Sequence, residues 1–363
     1  MGSYHLTGPV LVDDHTVLDE AWIHEGVIRL SEPVHAEINE LHGWVIPGLV
    51  DVHCHVGLDS GGAVDPSLAV KQAHADRDAG TLLIRDAGSP LDTVFLQSRA
   101  DAPRLIRSGR FIARPKRYFR DYAREIEVAD LPRVVADEAR DSDGWIKLIA
   151  DWIDRDLGAD GDLTPLWPDQ VLAEAIAAAH AAGARVTAHT FATESIDGLL
   201  AAGIDCIEHG TGMTREQMRR AADAGVPVVP TLLQVRNFAS YASQGEARFP
   251  RYAARMRAMY ERRFEQVRAM RDEGVTLLIG TDAGGTIGHG SLPQEAEELV
   301  RAGIPAAEVV AAGTWRARDF LGVPGIVEGA SADVVVLDAD PREDIAALAR
   351  PRHVVLRGNR VAP

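Results

Sequence analysis

Two histidines one residue apart close an apolar run, Val45-Ile-Pro-Gly-Leu-Val-Asp-Val-His53-Cys-His55. In an extended strand alternate side chains share a face, so His53 and His55 point one way and Cys54 the other. Two imidazoles on one side of a strand end form a grip for a divalent metal. The pair alone does not establish this, because two histidines also cap ordinary core strands and so short a motif arises by chance. Partners at the ends of later strands decide it, and four residues stand in such places. Lys147 lies in the run Gly144-Trp-Ile-Lys-Leu-Ile-Ala150, and His189 ends Arg185-Val-Thr-Ala-His. His209 ends Ile204-Asp-Cys-Ile-Glu-His, and Asp282 ends Val275-Thr-Leu-Leu-Ile-Gly-Thr-Asp.

The elements that must position these groups follow a regular rhythm. Residues 1–45 are short β-type pieces broken by Gly, Asp and Pro, which predicts a small antiparallel sheet. From residue 46 the pattern is strand then helix, repeated. Asp65-Pro66 has the form of an N-cap with proline at the first helical position, opening a helix to about residue 79. Strands are expected at 81–86, within 104–113, and at 144–150, 185–189, 204–209, 226–229 and 275–282. Helices are expected at about 131–140, 169–182, 194–202, 214–224, 252–273, 292–302 and 305–321. Long loops are expected at 114–124 and 231–250. The tail returns to β-type runs at 333–338 and 353–357. Eight strands alternating with helices predict an α/β fold, a (β/α)₈ TIM barrel, whose active site lies at the C-terminal ends of the strands. The two β-rich ends, 1–45 plus 325–363, are each too short alone and are expected to pair as one small β-sandwich domain beside a barrel of residues 46–324. Alternation along the strands places Asp51, Trp145, Thr187 and Ile207 inside the barrel beneath the site residues. Cys206 and Glu208 are expected to face outward.

Composition narrows the function classes. The chain has 363 residues, 46% hydrophobic and 25% charged, the balance of a globular enzyme with a large core. Its formal net charge of −16 argues against nucleic acid and against an anionic membrane surface as partners. Two isolated cysteines, Cys54 and Cys206, give no disulfide framework and favour a reducing compartment. The N-terminal residues lack the basic and apolar regions of a signal peptide, and no apolar run approaches membrane-spanning length. A cytoplasmic location is therefore expected.

With these motifs in view, the chain resembles the metal-dependent amidohydrolase superfamily, in the branch of Xaa-Pro dipeptidases (prolidases), imidazolonepropionase-like enzymes and related carboxypeptidases. The resemblance rests on Pro-Gly-Leu-Val-Asp-Val-His53-Cys-His55, Ile-Lys147-Leu-Ile-Ala, Ala-His189-Thr, Ile-Glu-His209-Gly and Gly-Thr-Asp282-Ala-Gly, in the family's order. It extends to Glu328-Gly-Ala-Ser-Ala-Asp-Val-Val-Val-Leu-Asp338 in the tail. It implies that His53, His55 and Asp282 hold one divalent metal, most simply Zn²⁺, and that His189 and His209 hold a second. Lys147, carboxylated by CO₂, bridges the two as a carbamate. A free lysine is a poor ligand because its ammonium only donates, whereas burial disfavours the charge and frees an amine that can react. The implied chemistry is hydrolysis of an amide or peptide-like C–N bond of a small-molecule substrate by a hydroxide held between the metals. Lys147, His209 and Asp282 are the catalytic set, with Asp282 carrying the proton to the leaving nitrogen. Relatives commonly form dimers or larger rings, so a homo-oligomer is compatible with the sequence.

The competing readings use the same residues. Lys147 paired with Asp151 or Asp282 in a metal-free core is the structural alternative for the lysine. Hydrolysis of a lactone, carbamate or organophosphate ester is the alternative chemistry, and a non-catalytic metal-binding scaffold the alternative class. Substrate contacts are expected on post-strand loops from His289, Tyr118, Trp152 and Arg236. Arg85 and Asp86 are expected to form a buried ion pair. The histidines of the β-rich ends (His5, His15, His24, His35 and His42) are expected to be structural or exposed.

Overall fold

Strands from both ends of the chain are hydrogen-bonded into one eight-stranded sheet in the computed structural model, which describes residues 2–34 and 37–362. Tyr4–Leu11, Val17–His24, Val27–Arg29, Asn39–His42 and Trp44–Pro47 come from one end; Val334–Leu337, His353–Leu356 and Asn359–Ala362 come from the other. The seam is antiparallel, with Val335 opposite Ile46 and Val336 opposite Val45. Period-two burial splits these residues between two apolar layers. Val45, Val334 and Val336 pack with Leu6, Val10 and Ile23. Ile46, Val335 and Leu337 pack with Leu292, Ala296 and Leu299 of a neighbouring helix. The expected β-sandwich does not emerge as two separate sheets: the strands form a single sheet, bent at a register shift between Thr7 and Val10. His35 lies outside the described residues.

The middle of the chain is the expected alternation of parallel strands and helices. Leu49–Cys54, Thr81–Asp86 and Arg104–Arg107 form one parallel sheet. Ile112–Ala113, Trp145–Ile149, Arg185–Thr190, Cys206–His209 and Val228–Val229 belong to another, with Arg124–Glu125 at its edge. The expected third strand, 104–113, is thus two pieces in two sheets, parted where Gly109 takes a left-handed φ of 68°. The expected eighth strand is not a regular ladder. Residues 275–282 nevertheless bond to both flanks: Val52 N donates to Ile279 O at 3.0 Å, and Leu278 N to Val228 O at 3.0 Å. Isolated bridges join Leu277 to Val228 and Ala283 to Cys54. The sheets as hydrogen-bonded do not close into a barrel; the architecture is mixed α/β.

Capping chemistry sets the helix starts. Asp65 caps Pro66–Asp78 by accepting from Ser67 N, and Thr214 and Gln217 form a reciprocal capping box on Arg215–Asp223. Three stretches depart from expectation. The stretch 231–250 is not a loop but carries helices Leu232–Val235 and Phe238–Gly245, whose apolar residues Leu232, Val235, Phe238 and Ala242 recur at helical spacing and are buried. The expected helix 252–273 is two, Pro250–Glu261 and Arg263–Asp272, meeting at Arg262. The expected helix 305–321 is also two, Ala306–Ala312 and Trp315–Leu321, because the Gly313 carbonyl turns away to accept from Val50 N at 2.8 Å. Among the described residues no helix is long and apolar enough to cross a membrane.

Candidate metal centre

Below the site, Val50, Val52, Leu83, Trp145, Cys206, Val229 and Leu278 meet in one cluster. These residues come from six separate strands or strand-like stretches, so they mark the space between strands. Two orientations therefore differ from simple alternation. Cys206 faces this interior, not the helices, and Ile207 packs outward with Met218 and Ala221 of a helix. His209 returns to the interior only because its φ of 66° breaks the extended backbone. Likewise Val50 and Val52 face inward while Asp51 does not lie under His53. Asp51 accepts from Thr281 Oγ1 at 2.7 Å and from His53 N at 3.0 Å, fastening the first strand to the eighth stretch. A register shift between Asp51 and Cys54 then turns His53 inward. Cys54 faces helix Pro66–Asp78, as expected, beside Ala69 and Ala73.

The six predicted donors come together. His55 Nε2 is 3.0 Å and His53 Nε2 is 3.3 Å from Asp282 Oδ1. Lys147 Nζ lies 3.5 Å from His53 Nε2, and His189 Nδ1 lies 3.1 Å from His209 Nε2. The His53 and His209 ring centroids are 5.1 Å apart, which joins the two groups. Donor atoms of His53, His209 and Asp282 all fall within 4.8 Å of one another. His209, Thr231 and Asp282 all have positive φ, a backbone strain gathered at strand ends around one point.

Hydrogen bonding fixes which nitrogens carry protons. The Gly88 carbonyl can only accept, so the 2.6 Å contact means that His55 Nδ1 donates to it. Its Nε2 is the nitrogen turned to the Asp282 carboxylate. Thr231 Oγ1 donates to Pro230 O at 2.9 Å, so it accepts from His209 Nδ1 at 2.6 Å. His209 Nε2 is accordingly an inward lone pair. Among the described residues His53 Nδ1 and His189 Nε2 are buried without a hydrogen-bond partner. Burial first, and then the nearby Lys147 charge, holds His53 well below the usual histidine range and His189 down at about 3. Burial, with His189 beside it, does the same for His209. Burial lowers Lys147 to about 7. For Asp282 burial acts upward but is outweighed by His53 and His55, and its carboxyl is held well below the usual carboxylate range.

One acid in the centre departs from expectation. Glu208 is wholly buried and faces inward, not outward: its carboxylate meets Lys147, lies 3.4 Å from His53 Nε2, and accepts from Arg85 at 2.9 Å and Thr187 Oγ1 at 2.8 Å. Arg85 therefore pairs with Glu208 and not with Asp86. The sequence does carry a signal for this pair. Arg85 and Glu208 each interrupt a strand otherwise buried, and two such charges in one core need each other.

A cavity of about 300 Å³ opens above the centre, with Asp282 and His189 in its lining. Tyr118 and Trp152 line it as expected, with Phe191, Tyr241, Phe249 and Tyr252, which the sequence did not single out. His289 does not line it. Its side chain is 5% exposed and its Nδ1 contacts Asp76 Oδ2 at 2.7 Å, so the ring anchors its loop to helix Pro66–Asp78. Arg236 does not line it either: it points to solvent beside Glu298, at 3.7 Å.

The profile described as "Amidohydrolase family" matches residues 44–361. An uncharacterized protein of Mycobacterium tuberculosis (strain H37Rv) is 46% identical over 360 residues, covering 99% of this chain and 96% of that protein. Among solved structures, a Xaa-Pro dipeptidase with methionine bound in its active site superimposes with a TM-score of 0.82 at 21% identity, covering 99% of this chain and 100% of that one. The ochratoxinase of Aspergillus niger superimposes with a TM-score of 0.81 at 19% identity, covering 99% and 94%. At such identities these two likenesses concern the fold.

Proposed function

This chain belongs to the amidohydrolase family and is a hydrolase acting on carbon–nitrogen bonds, and from that premise we propose a binuclear centre that cleaves an amide or peptide-like bond of a small molecule. The observation that carries the reading is the convergence of donors from separate strand ends, with the His53 and His55 Nε2 atoms 3.3 and 3.0 Å from Asp282 Oδ1 and His189 Nδ1 3.1 Å from His209 Nε2. Nitrogen and oxygen donors around neutral imidazoles suit Zn²⁺. His53, His55 and Asp282 would hold one ion and His189 and His209 the other, with Lys147 between as a carbamate. Gly88 and Thr231 orient two of these rings through their far nitrogens. In this reading residues 46–324 make a barrel, completed by 275–282, and 1–45 plus 325–363 the small domain.

When bound, the ions supply polarisation of the scissile carbonyl and activation of the attacking water. The residues of the chain do the rest. Asp282 takes the proton released by the water and delivers it to the leaving nitrogen, for which its place on both centre and cavity is suited. Trp152, Tyr118 and Phe191 pack around His189 and exclude solvent from the bond being cut. The test is metal content by mass spectrometry on active, fully loaded protein, with turnover on a panel of amides, dipeptides and esters. Two ions per chain and amide turnover are expected. Zero or one ion overturns the binuclear centre, and ester-only turnover overturns the amide.

A further inference from the structure

Cys54, the residue between His53 and His55, turns away from the strand-end centre and into a second group of donors. Its thiol, the Asp76 carboxylate of helix Pro66–Asp78 and the His289 ring on the loop after residues 275–282 each bring one donor atom to within 4.8 Å of the others. Three separate segments therefore converge here. Cys54 is wholly buried, and the side chains of Asp76 and His289 are 3% and 5% exposed. Around Cys54 stand Val56, Val64, Ala69, Ala73, Ile84 and Ala283, which keep the place dry.

Polar groups in so dry a place must satisfy one another, and these do so only in part. His289 Nδ1 donates to Asp76 Oδ2 at 2.7 Å, and Gly290 N donates to Asp76 Oδ1 at 2.6 Å. His289 Nε2 is buried and has no hydrogen-bond partner among the described residues. The same holds for Oδ2 of Asp86, a wholly buried residue that stands opposite Cys54 in the parallel pairing of Leu49–Cys54 with Thr81–Asp86. Burial, and then the carboxylates of Asp51, Asp76, Asp86 and Asp282, push the Cys54 thiol up. For His289 burial acts downward, but Asp76, with Asp51 and Asp86 behind it, outweighs burial and pushes the ring up. Every charge named on either group is a carboxylate, so the space favours a cation.

We propose that Cys54, Asp76 and His289 form a further metal site, separate from the strand-end centre, that takes a zinc-like divalent ion, with the free Asp86 oxygen available as a fourth donor. Thiolate, imidazole and carboxylate together suit Zn²⁺ or Co²⁺ and not Mg²⁺ or Ca²⁺, which want oxygen alone. Binding exchanges protons for the ion. The thiol proton and one ring proton leave to solvent, and the two charges of the ion replace them. The ion ties the first strand, helix Pro66–Asp78 and the loop after 275–282 to one another. That stretch has no regular ladder, and an isolated bridge joins Ala283 to Cys54. A clip at Cys54 therefore holds in place the end of the stretch that carries Asp282.

The thiolate makes this site visible apart from the strand-end centre, whose donors are all nitrogen and oxygen. The full chain, stripped of metal, is titrated with Co²⁺ while absorption and metal content are read together. A thiolate-to-cobalt charge-transfer band in the near ultraviolet is expected, with one ion per chain in addition to those of the strand-end centre. The band reports this site whether that centre holds one ion or two. The chain has only two cysteines, so Cys206→Ala should keep the band, and Cys54→Ser should abolish it and release one ion. Asp76→Asn and His289→Gln should each weaken Co²⁺ binding, read from the band, by about tenfold or more. Added Zn²⁺ should displace the cobalt and bleach the band. No band in the wild-type chain would overturn the site. So would a band that survives Cys54→Ser, one lost in folded Cys206→Ala, or one indifferent to both Asp76→Asn and His289→Gln. Should Cys54→Ser fail to fold, the wild-type and Cys206→Ala spectra still assign the thiolate, and the other two variants decide the remaining ligands.

Discussion

Glu208 lies between Arg85 and Lys147, with one carboxylate oxygen accepting from the Arg85 guanidinium at 2.9 Å and the other facing the lysine. All three side chains are buried, and the Arg85 guanidinium lies 4.7 Å from the Trp145 ring centroid beneath. The lysine at the heart of the candidate centre therefore sits above the Arg85–Glu208 ion pair, and the strand register that carries His209 also carries Glu208.

Removing that carboxylate should be costly. Glu208→Gln leaves the Arg85 guanidinium in the core without its carboxylate, and loss of one partner of a buried pair typically destabilises by about 3–5 kcal/mol. The urea midpoint should fall accordingly. Replacing both charges by apolar residues, Arg85→Met with Glu208→Leu, should recover most of the loss. A Glu208→Gln midpoint equal to that of the wild type would mean that Arg85 is neutralised by another group.

How far the sequence revealed this site depended on what kind of signal each residue leaves. His53, His55, Lys147, His189, His209 and Asp282 stand out because polar donors at the ends of apolar strands have few bland explanations, and the structure brings all six together. Helix starts at Asp65 and Thr214 were legible because capping is local chemistry. Glu208 was not, because period-two reasoning assumes an unbroken extended backbone, and the positive φ of His209 lets two neighbours share the interior. The register shift at Asp51 has the same consequence in the first strand. The aromatic walls at Phe191, Tyr241, Phe249 and Tyr252 were missed because they come from separate segments that only tertiary packing brings together. The loss of ladder pairing in 275–282 has no local signature either, since the stretch is as apolar as a buried strand.

Lys147→Ala should cost metal as well as turnover. Burial draws the lysine down to about 7, so much of it is neutral amine near neutral pH and able to take up CO₂. Alanine has no atom to bring between the two histidine groups. At least one ion per chain should be lost, with turnover reduced by roughly a thousandfold or more. Short carboxylic acids in the buffer should restore part of it. A variant that keeps two ions and normal turnover would show that Lys147 has no bridging role.

Metal-stripped protein should be unusually sensitive to mild acid. His53, His189 and His209 are held below their unfolded value near 6.5 by burial, His189 to about 3. The folded state thus refuses protons that the unfolded chain accepts. The stability these groups contribute is present above pH 6.5 and is lost as pH falls towards their folded values. Three such groups give a slope of up to about 4 kcal/mol per pH unit. Urea midpoints in chelator should be steady from about pH 7.5 to 6.5 and fall steeply towards about pH 5.5. A flat profile would mean that the rings are hydrated or already charged.

Asp282 should separate metal holding from proton transfer. Its carboxylate touches both His53 and His55 and is the one acid lining the cavity, so it can serve the centre and the substrate together. His53 and His55 outweigh burial and hold it well below the usual carboxylate range, which makes it a weak base at rest. It can accept a proton in turnover only as negative charge passes to the substrate. Asp282→Asn removes the basic site but keeps the shape and one ligating oxygen. Asparagine also tolerates the left-handed φ of 57° at this position, and the backbone bond from Asp282 N to His53 O at 2.7 Å is unaffected. The variant should therefore fold, retain much of its metal, and lose several orders of magnitude in amide turnover. An amine leaves only when protonated, whereas an activated aryl oxide leaves without help. The loss on activated aryl esters should accordingly be much smaller than on amides, measured as the ratio of kcat values for the two substrate types. An equal loss on both would assign Asp282 to metal holding alone.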